Sequence, residues 1–244
     1  MTTTNTLDRI RADAVALCRA EETAVSIRSY GGLEFPDLLM DGAYAEQTWS
    51  MRTASQPLPA IAGALLQPRR MAVLRRNPPA EATFVVNESA LTVLEYGRGD
   101  PRVATAQLRW LANCIDERAC TVRVLHFGAR LALTPDPAFG PVLGGTPGPA
   151  FTIVTDADGR ETVFADAPTP SRIQIVRDEI PDIRGVGYYT RRFAELSDAS
   201  LDQHGSRERI RDAIRRCEEL AARAPTDRDH STDAVGTGGT RRSR

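Results

Sequence analysis

Apolar residues recur at helical spacing toward both ends of this chain and alternate through its middle. In "TTTNTLDRIRADAVALCRAEETAVSIRSYGG", Leu7, Ile10, Ala14, Leu17, Ala24 and Ile27 fall on one helical face. That pattern predicts a long first helix, capped by Asn5 or Thr6 and stopped by Gly31 and Gly32. "DGAYAEQTWSMRTA" predicts a short helix with Tyr44, Thr48 and Met51 on one side. "PAIAGALLQPRRMAVLRR" has helical spacing, which Pro68 must kink or split. "ATFVVN" reads as a short buried strand running directly into a helix at "NESAL", where Asn87 suits the cap and Glu88 the first turn. In "GRGDPRVATAQLRWLANC", Asp100 caps a further helix with Pro101 at its first position. "CTVRVLHF" alternates as a strand, with Cys120, Val122, Val124 and His126 on one face.

From Leu133 to Ala150 the chain is rich in proline and glycine, the composition of a long loop. "FTIVTDADGRETVFAD" places two alternating strands either side of an Asp158-Gly159 turn, and "SRIQIVRD" adds another strand. "VGYYTRRFAELSDASL" returns to helical spacing through Tyr189, Phe193 and Leu196. A last helix is expected from Ser206, with Ile210, Ile214 and Cys217 as its stripe. Beyond Arg223 almost no apolar residue remains, so residues 223–244 read as a disordered tail to one domain over residues 1–222. The expected class is α+β, with helical N- and C-terminal segments packed on a small, mainly antiparallel sheet.

The first helix carries two adjacent carboxylates. Glu21 takes the step after Leu17 on the apolar stripe, and Glu22 follows Cys18 by four on the neighbouring row. Either they form a helix edge paired with arginine, or one lines a pocket; Glu22, more than Glu21, is expected to look inward.

Composition removes several classes of function. The 244 residues carry a formal net charge of −1, which argues against a large nucleic-acid or membrane-attracting field. All 31 basic residues are arginine, so neither a lysine Schiff base nor a P-loop lysine is available. Cys18, Cys114, Cys120 and Cys217 form no C-x-x-C pair and are expected to be free, buried thiols in a reducing compartment. Residues 1–20 lack the pattern of a signal peptide, and no apolar run is long enough to span a bilayer, so a cytoplasmic location is expected. There is no G-x-S-x-G, "GVG" at residues 185–187 lacks a third glycine, and "ADADGRET" lacks the acid spacing of a calcium loop.

Several stretches, in order, resemble a domain family of unknown function that usually follows an Xre-type helix-turn-helix in actinobacterial regulators linked to toxin–antitoxin-like and developmental control. They are "EETAVSIRSYGGLEFPDLLMDGAYAE", "RRMAVL", "FVVNESAL", "AQLRWL", "VRVLHFGA" and "FAELSDASLDQHGSRERIRDAI", spanning roughly residues 20 to 216. The resemblance implies the sensing half of such a regulator, binding a small protein partner or a small ligand. Two departures stand out. The usual helix-turn-helix is not found before the match, so direct nucleic-acid binding is not expected. In addition, Leu125-His126-Phe127 replaces a Leu-Pro-Phe usual in the family.

His126 is therefore the first candidate for chemistry, because a histidine near its ordinary pKa suits proton transfer around neutrality. Glu22 and Glu88 are the next, and Tyr44 offers a hydroxyl to the same region. Each has a plain structural reading: a core histidine, a carboxylate serving a helix start, an acid paired with Arg28 or another arginine, a packed tyrosine. His204 and His230 lie in a loop and the tail, so no metal site and no cofactor is expected. The leading expectation is an effector domain that binds a partner or ligand through Glu22, Tyr44, Glu88 and His126, as a monomer or a homo-oligomer. The alternative is a cofactor-free natural-product tailoring enzyme (a cyclase, isomerase or dehydratase) using the same four residues for acid–base work.

Overall fold

The computed structural model describes residues 15–52, 72–96, 99–117, 120–129, 148–166, 173–176 and 185–223. The predicted loop over residues 133–150 falls mostly outside these, as do most of the "PAIAGALLQPRRMAVLRR" segment and the tail beyond Arg223.

Six strands form one sheet: β1 (Ser26–Tyr30), β2 (Glu81–Asn87), β3 (Thr121–Leu125), β4 (Phe151–Thr155), β5 (Glu161–Asp166) and β6 (Ile173–Val176). Their order is β3-β2-β1-β4-β5-β6. Around it lie α1 (residues 15–23), α2 (Gly42–Arg52), α3 (Glu88–Glu95), α4 (Pro101–Asp116), α5 (Val186–Ala199) and α6 (Gln203–Arg223), with a 3-10 turn at Asp37–Leu39. The α+β class expected from the sequence is borne out, with helices at both ends of the described chain. The sheet is mixed: β1 pairs with β2 and β2 with β3 in parallel, whereas β1–β4, β4–β5 and β5–β6 are antiparallel.

The first helix is shorter than its spacing predicts. It ends at residue 23, and "SIRSY" is the strand β1 at the centre of the sheet. Ala24 and Ile27 fit a helical step of three, but Ile27 also fits an alternating strand in which Ile27 and Tyr30 face opposite sides. Pairing with strands on both sides decides the outcome, since it satisfies every ladder group of a short segment. Gly31 and Gly32 accordingly end a strand. A Cβ at Gly31 would lie 2.3 Å from the Glu34 carbonyl oxygen, and Gly32 sits at φ +67°. Only glycine suits the first position, and glycine is strongly favoured at the second.

The local signals farther along hold. The Asn87 side chain accepts the Ser89 N–H at 2.9 Å, and Asp100 accepts that of Arg102 at 2.8 Å ahead of Pro101. The β4–β5 hairpin turns through Gly159 at φ +78°. All four cysteines are buried and unbridged.

The two faces of the sheet bury separate cores. On one, Ile27, Phe84, Val86, Val122, Val124 and Val154 meet Leu17 of α1, Leu91 of α3, Leu108 and Leu111 of α4 and Ile210 of α6. On the other, Tyr30, Val85, Leu125, Phe151, Ile153 and Val163 lie beneath Tyr189, Phe193 and Leu196 of α5. Arg28 pairs with Glu161, which also accepts the Thr190 hydroxyl at 2.9 Å and ties α5 to this face.

β3 is an edge strand, and an exposed edge presents unpaired backbone groups. Here the outer edge is closed by the entry to α6. The Leu201 N–H donates to the Val124 carbonyl at 2.9 Å, and the Val124 N–H donates to the Ser206 hydroxyl oxygen at 2.9 Å. Ser206 is fully buried and donates onward to the Leu201 carbonyl at 3.2 Å. It lies inside the last helix, which begins at Gln203 rather than at the serine. Ser206→Ala leaves the buried Val124 N–H without an acceptor, so a loss of about 1–3 kcal/mol is expected in urea denaturation. Ser206→Thr, which keeps the oxygen, is expected to lose less.

Candidate functional site

Because β1, β2 and β3 are parallel, their last residues Tyr30, Asn87 and Leu125 reach the same edge of the sheet. The carboxyl edge of parallel strands is where ligands bind in open sheets, and the order reverses here between β1 and β4. Glu88 and His126 follow their strands by one residue, so topology alone carries both to this edge.

Glu88 is nine-tenths buried and fully engaged. Its Oε1 accepts from Arg209 Nε at 2.7 Å, and its Oε2 accepts the Phe127 backbone N–H at 2.9 Å. Arg209 Nη1 also donates to Glu95 Oε1, and Arg216 Nη1 donates to Glu95 Oε2 at 3.1 Å. Glu88 and Glu95 are two helical turns apart on α3, and Arg209 and Arg216 are two turns apart on α6. One face of acids therefore meets one face of arginines. Burial on its own would raise the Glu88 pKa, but the Arg209 hydrogen bond, the Phe127 N–H and the charge of Arg209 outweigh it and hold the carboxyl below its ordinary range. Burial likewise works against the Arg209 charge, yet Glu95 and Glu88 raise its pKa above the usual value. Beside this group, burial and then the Glu95 charge push the Cys217 thiol up to about 11.

His126 lies just past β3, not on the inward strand face the alternation suggests, and its side chain is 54% exposed. The strand ends one residue early because the chain turns there, with the Ala129 N–H donating to the His126 carbonyl at 2.9 Å. The ring does reach Glu88: Nε2 stands 3.5 Å from Glu88 Oε2. Its Nδ1 accepts the Gly128 N–H at 2.9 Å, which leaves the proton of the neutral ring on Nε2, toward the carboxylate. Neither nitrogen then offers a spare lone pair to a substrate.

Glu88 and His126 are thus brought together, and Glu22 is not part of that group. It ends α1, before β1 begins, and its carbonyl accepts from Arg76, just ahead of β2; this is the opposite edge of the sheet. β1 alone spans five residues, roughly 17 Å. The inward carboxylate of the pair is Glu21, fully buried, whereas Glu22 is only half-buried. Leu17, Cys18, Glu21 and Ala24 share the buried face, so the main stripe, not the neighbouring row, decides which acid turns inward. Tyr44 lies on α2 with its ring edge-on to Phe35, 5.5 Å between centroids, against the first core.

Two further groups of residues carry no local signal in the sequence. Arg209, Glu95 and Arg216 were visible only as acids and bases repeating at seven residues on two separate helices. On the other face, Tyr30 is buried at the end of β1, where its hydroxyl oxygen stands 3.5 Å from the Asn87 amide nitrogen. Desolvation pushes the Tyr30 pKa up to about 12, against smaller opposing contributions from Asn87 and from the charge of Arg192, itself buried on α5. Among the described residues no group of three or more His, Cys, Asp and Glu side chains is arranged to hold a metal ion.

Replacing Arg209 by methionine leaves two buried carboxylates facing each other, and a loss of roughly 3 kcal/mol is expected in chemical denaturation. The pH dependence has a definite sign. The Glu88 pKa is lower folded than unfolded, so its contribution is fully present above the unfolded value near 4.5 and is lost as pH falls through the folded value. Glu88→Gln is expected to be less stable than wild type at neutral pH, with the difference shrinking as a pH series is carried below 4.5.

Comparison with known proteins adds one finding. No curated protein and no solved structure matches the chain. A domain of unknown function, DUF5753, matches over residues 15–212 and so takes in the whole sheet, the Glu88–Arg209 group and the Tyr30–Asn87 pair. The chain belongs to the DUF5753 family.

Proposed function

We propose that this protein is an effector or sensing domain that binds a small-molecule ligand or a small protein partner in the cytoplasm and catalyses no reaction. The observation that carries this reading is the state of the predicted acid–base residues. Glu88 is held ionised by Arg209 and a backbone N–H, and both His126 nitrogens already have partners. A general acid needs a proton to give near neutrality, and a general base needs a free lone pair. The set supports a structural post beside a binding surface better than a proton-transfer site. The regulatory part of the proposal rests on the resemblance to the sensing half of Xre-type actinobacterial regulators. On that reading a helix-turn-helix unit supplies the DNA contact, and this domain contributes ligand or partner recognition.

A cofactor-free natural-product tailoring enzyme is the second reading, favoured by the 3.5 Å approach of His126 to Glu88. The two readings separate in one experiment. The protein is screened by thermal shift and native mass spectrometry against a metabolite panel and against small proteins encoded beside its gene. Saturable binding is expected, with stabilisation of about 2.7 kcal/mol for a ligand at a hundred times its Kd. His126→Ala is expected to keep that binding. Turnover of any bound compound, abolished by His126→Ala in a folded protein, would replace the first reading with the second. A screen with no binder at all would end the first.

A further inference from the structure

We propose that the turn at residues 126–129 is a proton-operated latch: a proton taken up by the His126 ring releases the Gly128 N–H and loosens the turn that displays Phe127. This goes beyond the binding-domain reading and does not depend on it. The chain leaves β3 at Leu125 and reverses at once. Three successive backbone N–H groups fall in that reversal, and each has its own acceptor. The Phe127 N–H donates to Glu88 Oε2 at 2.9 Å, the Gly128 N–H to His126 Nδ1 at 2.9 Å, and the Ala129 N–H to the His126 carbonyl at 2.9 Å. Backbone donors are ordinarily taken up by carbonyls, caps or water. Here the middle one is taken up by an imidazole, whose capacity to accept depends on a proton. The ring lies close over Gly128: a Cβ built there would stand 3.1 Å from Nδ1 and 3.4 Å from Cε1. Gly128 is not at positive φ, so the ring, not the backbone, is what favours glycine at this position.

The neutral ring keeps its proton on Nε2, 3.5 Å from Glu88 Oε2. The cation carries hydrogen on both nitrogens. Nδ1–H then meets the Gly128 N–H donor to donor, and no rotation of the ring restores an acceptor. At the other nitrogen the positive charge draws on Glu88 Oε2, the same oxygen that holds the Phe127 N–H. One proton thus removes one acceptor from the turn and makes a second one shared. The ring is 54% exposed, so solvent protons reach it, and Phe127 beside it is 66% exposed. The charged groups around the ring have partners of their own. Glu88 of α3 is held at its other oxygen by Arg209 of α6 at 2.7 Å. At the corner between α5 and α6, which closes the β3 edge, Asp202 accepts the Gly205 N–H at 2.7 Å and His204 stands 3.4 Å from Glu208. On β3 itself Arg123 donates to the Ser197 hydroxyl at 3.0 Å. Of the two titratable acceptors in the turn, Glu88 is kept ionised by Arg209, and the imidazole is of the class that changes charge between about pH 5 and about pH 8.

The test is an NMR titration of the full, isotope-labelled chain from about pH 8 to about pH 5, following the His126 ring nitrogens, the amides of residues 127–129 and their exchange protection. At the upper end Nδ1 is expected to show the shift of an unprotonated, hydrogen-bonded nitrogen. As the ring takes up its proton, the Gly128 amide is expected to shift with the same midpoint and to lose about tenfold in protection, while Gly159 in the β4–β5 turn does not follow. Two variants separate the latch from a general effect of acid. His126→Asn keeps an oxygen that accepts the N–H two residues on without titrating, and is expected to hold Gly128 protected throughout. His126→Ala is expected to leave it unprotected throughout. The latch is ruled out if the neutral ring carries its proton on Nδ1, if Gly128 ignores the His126 midpoint, or if its response persists in His126→Ala. It is ruled out too if amides across the whole sheet change with that midpoint, because the event would then be global acid unfolding. All of these outcomes are read without ligand, so a failed ligand screen bears on the binding-domain reading alone.

Discussion

One guanidinium shared between two carboxylates fixes how the last described helix meets the middle of this chain. Arg209 on α6 serves both Glu88 and Glu95 on α3, and all three side chains are largely withdrawn from water. Removing two acids from water is costly unless each has a partner, so helix α6 cannot slide along α3 without stranding a buried charge. α3 in turn has no freedom of its own: it starts directly from β2, with Asn87 both the last strand residue and the helix cap. The last helix is therefore registered against the sheet through β2, and Ser206 registers it a second time through the backbone of β3. Hydrophobic burial alone would hold these helices on the sheet, but it is non-directional and would not choose their register.

The same constraint determines what chemistry the carboxyl edge of the sheet has to offer. On the α3–α6 side, positive and negative groups neutralise each other and the His126 ring is held at both nitrogens. On the α5 side, Arg192 pairs with Glu195 at 3.3 Å and the Tyr30 hydroxyl oxygen stands 3.5 Å from the Asn87 amide nitrogen. The two sets sit at the ends of the same strands but on opposite faces of the sheet.

How much of this was legible in the sequence follows from the range of each interaction. Asn87 and Asp100 were readable as caps because a cap is decided within three residues. The Asp158-Gly159 hairpin was readable for the same reason. "AVSIRSY" suits a helix as well as a strand because it is short and its apolar spacing fits both periods; its identity as a strand depends on neighbours 55 and more residues away, as the pairing of Ser26 with Glu81 illustrates. Glu88 stands out locally as an acid in the first turn of a capped helix, but its partner Arg209 is 121 residues distant and nothing local announces it. The seven-residue repeats of Glu88 with Glu95 and of Arg209 with Arg216 were present in the sequence; which helices would face each other was not. Tyr30 drew no attention because a tyrosine before two glycines looks like a helix end, and its burial is a property of the sheet.

We propose that the ionisable groups at the strand ends hold the fold and do not transfer protons. A carbon-detected NMR titration of the glutamate carboxyls measures this directly. The account predicts that the Glu88 carboxyl titrates below the ordinary value of 4.5, in the intact domain and without ligand. A Glu88 that takes up its proton above that value, toward neutrality, would be an acid available for catalysis and would contradict the account.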